Sequence, residues 1–223
     1  MNEGKNKKKR ESFKARAYRI IEGRILGGKL RPGDVIDRRS MAAQLKMSVA
    51  PVLEAMLLLT EEGLLETRPR SGTCVAKPRP EDVRGRHWLR EAMECQVARL
   101  VFGEPIRRHW NTLLPLARAV DDAVTDDDVR WKAEAEFHAA LAALVGSDAF
   151  LSVFRKTVRA NLFYEIKALG TGVPRGPASS HVALLERLRD AATPEEAEAI
   201  ARADLNKGKS AILDRRGTGN GEY

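Results

Sequence analysis

Cysteine, aromatic side chains and long apolar runs are all scarce in this sequence. Two cysteines, Cys74 and Cys95, stand among 223 residues. They fall in different predicted domains, which favours neither a disulfide framework nor a metal knuckle. A reducing cytoplasm is the simple expectation. No apolar run approaches the roughly 20 residues of a membrane span. The opening MNEGKNKKKR has no apolar stretch behind it, unlike a secretory signal. Aromatics make up only 5% of the chain, yet 43% is hydrophobic, enough for one large core or two modest ones. Also missing are an HExxH motif, an activated serine or cysteine constellation and a phosphate loop, so an enzyme is not the expected class. The Gly/Pro stretch at 170–180 has the wrong spacing for a nucleotide loop and no strand before it.

What is present is charge, unevenly placed. Residues 1–80 hold 18 Lys and Arg against 9 Asp and Glu, a balance of +9, while the remainder holds 21 against 22. One basic end and one neutral end are what a chain needs when a single end meets a polyanion. The other reading of the charge is a merely soluble basic domain.

Hydrophobic periodicity divides the chain in the same place. Residues 1–11 read as a disordered basic arm. From Ser12, the positions Phe13, Ala17, Ile20, Ile21 and Ile25 recur at helical spacing, and Gly27-Gly28 ends the run. Pro32-Gly33 marks a turn; Asp37 caps a short helix to Leu45, and Ser48 caps another to Glu62. Pro51 falls at its third position, where no helical bond is lost. LLET and TCVA then read as two short strands joined through Arg68, Pro69, Arg70, Ser71 and Gly72. This order predicts a winged helix-turn-helix over 12–77. KPRP leads into a linker at 78–80.

From Glu81 the pattern is helical. It predicts an all-α bundle over 81–214 with helices near 81–102, 105–124, 127–145, 148–169, 180–192 and 194–214, and a flexible tail at 215–223. Thr193-Pro194-Glu195-Glu196 is a capping box. Trp88, Trp110 and Trp131 are expected in core or dimer packing. His87 and His109 have no partner at ligand spacing, and Asp126, Asp127 and Asp128 read as a helix start.

The stretch IIEGRILGGKLRPGDVIDRRSMAAQL, with SVAPVLEAM and EEGLLETRPRSGTCVA after it, resembles the DNA-binding domain of GntR-family regulators. The second part resembles the FCD effector domain of the FadR subfamily, through Leu89-Arg90-Glu91-Ala92-Met93-Glu94, Glu134-Ala135-Glu136-Phe137-His138 and Ser180-His181. The resemblance implies a mainly α, homodimeric, non-membrane regulator of transcription, a repressor rather than an activator. It would bind double-stranded DNA and sense a small organic acid. Arg39, Ser48, Pro51, Arg68, Arg70 and Gly72 match the family's DNA-contacting pattern. Val49 and Leu53 do not, since the family usually has arginine at both positions. They can touch a thymine methyl but donate no hydrogen bond. Affinity is then expected from Arg38, Arg39, Lys46, the wing arginines and the arm. A binder without sequence preference is the competing reading.

The resemblance also implies a divalent-metal set in the second domain: Glu134, His138, His181 and Asp204, two imidazoles and two carboxylates. Zn, Mn or Ni suits such donors. A metal-free pocket, with the histidines facing water or ligand, stands beside it, and water activation by Glu134 and His138 is the remote enzymatic reading. Arg90 looks like the effector-facing arginine, suited to a carboxylate, or alternatively a surface partner of Glu94 at i+4. Arg159 is a second candidate for the same pocket.

Overall fold

The structure is a computed structural model, and it describes residues 11–69, 72–123, 127–169 and 180–207. These residues form ten helices and one two-stranded ribbon, in two compact units that meet between Lys77 and Pro78. Residues 1–10 of the expected arm, Arg70, Asp126, the glycine-rich loop and the tail lie outside the described residues.

In the first unit α1 (Phe13–Leu26) starts at Ser12, whose hydroxyl accepts the Ala15 N–H at 3.1 Å. Gly28 follows with φ +73°, the left-handed region that glycine enters freely. Asp37 caps α2 (Arg38–Leu45) through the Ser40 N–H at 2.7 Å. The turn to α3 (Val49–Glu61) opens on Lys46, which takes φ +53°, and the two helices are bent by 116°. That angle suits a helix-turn-helix. Ile21, Ile25, Met41, Val52, Met56 and Leu59 close the core between these helices.

Strands β1 (Leu65–Arg68) and β2 (Gly72–Val75) pair antiparallel, with Leu65 opposite Val75 and Arg68 opposite Gly72. Each lies one residue from its expected span. The segment expected only as a turn adds to the ribbon. Gly33 and Ile36 donate to Val75 and Thr73 at 2.8 Å, and Val75 donates back to Asp34 at 2.9 Å. Otherwise unsatisfied edge groups of β2 gain partners by this pairing.

The second unit comprises α4 (Pro80–Val101), α5 (Glu104–Arg108), α6 (Trp110–Asp122), α7 (Asp127–Ala143), α8 (Asp148–Leu169), α9 (His181–Asp190) and α10 (Pro194–Asn206). The single helix expected over 105–124 is broken at His109. Its imidazole Nδ1 takes the Pro105 carbonyl at 2.9 Å, and its backbone N–H goes to Ile106 instead. Thr193 caps α10 as expected, but Glu196 reaches back to the Ala192 N–H, one residue before the usual partner. Phe137, Phe154, Leu162, Leu113 and Leu185 centre the core. Trp131 is buried, Trp110 lies under the Arg189 guanidinium, and Trp88 is exposed, outside the core of its unit. His87, which has no partner at ligand spacing in the sequence, is buried with Nε2 3.0 Å from Asn206 Oδ1. Among the described residues no single helix is long and apolar enough to cross a membrane.

Candidate functional site

Two surfaces carry chemistry, one in each unit. On the first, α3 presents its N-terminus to solvent. Ser48 stands at the cap position without making a side-chain capping bond, so its hydroxyl is available. Val49, Leu53 and Leu57 are exposed along one face. Arg38, Arg39 and Lys46 are exposed beside it and make no ion pair among the described residues. Pro51 is half-buried at the third helical position, and Gly72 opens β2 with φ +83°. Arg68 pairs with Glu66 on the same strand, so part of its charge is already met.

The second surface is internal. Arg90 and Glu94 lie one turn apart on α4, and Glu134 and His138 one turn apart on α7, so each pair shares a helical face. Asn161 of α8 and His181, the first residue of α9, complete a buried cluster. Arg90 Nε donates to Glu94 Oε1 at 2.6 Å, Nη1 to Asn161 Oδ1 at 3.3 Å and Nη2 to Glu134 Oε1 at 3.2 Å. Nη2 also lies 3.3 Å from His138 Nε2, while His138 Nδ1 is 3.0 Å from Glu94 Oε2. A guanidinium only donates and a carboxylate only accepts. These partners therefore set the tautomer of His138, with the proton on Nδ1 and the lone pair on Nε2. Burial alone would raise the Glu94 pKa. The Arg90 charge, with the hydrogen bonds from Arg90 and His138, outweighs it and holds this carboxyl well below the usual range.

His181 is held in the same manner from α6. Asp121 Oδ1 is 3.1 Å from its Nδ1, and the Asp121 carboxylate also accepts the His181 and Val182 backbone N–H groups at 2.7 and 3.1 Å and the Ser180 hydroxyl at 2.7 Å. Burial would raise the Asp121 pKa, but these donors lower it. Burial pushes the His181 pKa below its ordinary value, which favours the neutral imidazole.

Ligand atoms of Glu134, His138 and His181 lie within 4.8 Å of one another. Two neutral imidazoles and a carboxylate are a donor set for a divalent transition ion. Each imidazole is oriented through Nδ1 by a carboxylate, Glu94 or Asp121, which is the usual support for a metal-bound histidine. The residues fit a metal. Asp204, the fourth expected ligand, is outside this set; its carboxylate pairs with Lys207 at 3.2 Å. It lines a cavity of about 20 Å³ with Glu94, His138, Phe154 and Leu184, space for about one water molecule.

Matches to known proteins follow the same division. Residues 13–75 fit the gntR family of bacterial regulatory proteins, and residues 87–207 fit the FCD domain. The chain belongs to the GntR family of regulators, with an FCD domain. It is 35% identical over 82 residues to the HTH-type transcriptional repressor RspR of Escherichia coli K12, a match covering 37% of this chain and 36% of that protein. The chain thus spans about a third of the length of the curated relatives that head the comparison. A structure of a GntR regulator from Rhodococcus sp. RHA1 superposes with a TM-score of 0.74 at 21% identity, over 92% of this chain and 99% of that one. Escherichia coli McbR/YncC gives 0.73 at 16%, over the same shares. Both share the fold.

Within this GntR–FCD chain the structure unites three of the four expected metal residues. It places Arg90 among them, buried and not at the surface. Arg159 is half-buried on α8 and is not among the residues that line the cavity. It stands two positions before Asn161, about 200° of helical rotation, so the two face different ways. Sequence reading passed over Glu94 as a histidine anchor, and over Asp121 and Asn161 altogether. Glu94 had a signal, its i+4 spacing from Arg90. The other two act across 60 and 71 residues of chain.

Proposed function

We propose that this GntR–FCD protein is a cytoplasmic, homodimeric transcription regulator, with repression the favoured mode, whose DNA affinity is set by a small organic acid bound in the FCD bundle. One observation carries the DNA-binding part: the exposed start of α3 is flanked by Arg38, Arg39 and Lys46, none of them neutralised by a described partner. Cations so placed meet phosphates and position the helix. Anisotropy on duplex DNA across a salt series tests this. Arg39→Ala and Lys46→Ala should each flatten the slope of log affinity against log salt by about 0.9. An unchanged slope in both would overturn it.

For the bundle, we assign Glu134, His138 and His181 to a divalent metal (Zn, Mn or Ni), whose chemistry is to hold an acid's carboxylate. Asn161 Nδ2 is buried and has no hydrogen-bond partner among the described residues, so an acid oxygen would satisfy it. The cavity of about 20 Å³ admits no organic acid as it stands, so binding requires the lining side chains to move. For the dimer, Leu89 and Leu100 offer exposed apolar surface on one face of α4, and light scattering should return twice the 24.7 kDa chain mass. The exposed Val49 and Leu53 favour a second reading, a DNA binder with little sequence preference.

A further inference from the structure

We propose that Arg90 and a divalent metal ion compete for one atom, His138 Nε2, so that the ion enters this site only by displacing the guanidinium. The inference rests on the metal assignment made for Glu134, His138 and His181. An imidazole nitrogen has a single in-plane lone pair, which accepts one hydrogen bond or binds one ion. The contacts leave no choice of nitrogen, because the Nδ1 proton of His138 is committed to Glu94 at 3.0 Å. The remaining lone pair, on Nε2, faces Arg90 Nη2 at 3.3 Å.

Glu134 is a different case. Its Oε1 accepts from the same Nη2 at 3.2 Å, but a carboxylate has lone pairs to spare. The obstruction is therefore at the histidine. Charge adds to it, since an ion on Glu134 and His138 would put two cations in one buried place. The guanidinium is planar and rigid. Turning Nη2 away also disturbs Nε on Glu94 and Nη1 on Asn161, at 2.6 and 3.3 Å. Arg90 is thus the residue that keeps metal affinity low in this chain.

Calorimetric titration of Ni²⁺ into the full chain tests this with wild type, Arg90→Met, Arg90→Lys and His138→Ala. Arg90→Met should bind Ni²⁺ at least about tenfold more tightly than wild type, the fold-change of one charge-assisted hydrogen bond. Arg90→Lys keeps the charge but cannot span the four acceptors that Arg90 reaches, so it should also bind more tightly, by less. Equal or weaker binding by both Arg90 variants, with binding abolished by His138→Ala, would overturn the competition and leave the metal site standing. No Ni²⁺ binding by any of the chains would overturn both. Arg90→Met leaves Glu94 and Glu134 without their cation and can fail to fold, so wild type carries a separate readout. In ¹⁵N NMR, Zn²⁺ should shift the Arg90 side-chain signals together with those of His138. A His138 shift with Arg90 unmoved would contradict the proposal.

Discussion

Val49, Leu53 and Leu57 recur every fourth residue along α3, and all three are exposed. That spacing makes one stripe on the helix, and aliphatic groups there can meet thymine methyls while reading no donor or acceptor pattern. Leu53→Arg should therefore strengthen binding to specific and scrambled DNA alike and steepen the salt slope by about 0.9. Anisotropy that registers no change would place this face away from DNA. At the internal site, Asn161→Leu removes the unsatisfied amide donor and should weaken binding of the acid effector without lowering Ni²⁺ affinity, since Asn161 is not a ligand. Unaltered acid affinity would release Asn161 from that role. Residues were legible in the sequence where one helix carried both members of a pair, as with Glu134 and His138. Asp121 was not, because its partners stand on another helix, 59 to 61 residues away.

Among the elements, α9 depends on α6 for its start. The Asp121 carboxylate accepts four hydrogen bonds from Ser180, His181 and Val182, doing from a neighbouring helix what a local cap does. Asp121→Ala should cost about 1–3 kcal/mol, read as a lower urea midpoint with an unchanged slope. A loss within a few tenths of a kcal/mol would show that Ser180 alone suffices as the cap. Most elements were legible because apolar periodicity agreed with local caps, at Asp37 and Thr193. The break between α5 and α6 was not. It turns on a histidine side chain taking a main-chain acceptor, which periodicity does not register. Nor was the pairing of residues 33–36 with β2, because a Pro-Gly turn signals a reversal and not what it pairs with.

At the scale of the molecule, the charge split and the two family matches fall on either side of the same boundary, near residue 77. A ligand can change DNA affinity only if it binds one arrangement of the protein better than another. Neutralising the five lysines and arginines among residues 5–10 should flatten the salt slope by several units, at roughly 0.9 per lost phosphate contact. The fold class was legible at this scale, since helical pattern, turn chemistry and charge agree. The chemistry of the buried cluster was only half legible, because a sequence does not show which charge ends up between which ligands. Whether Val49 and Leu53 leave this chain selective decides between a regulator and an indiscriminate binder. Anisotropy on DNA from the gene's own upstream region, against scrambled DNA at matched salt, measures that directly. A preference of about 1,000-fold or more is the predicted result, and equal affinity for both would contradict the account.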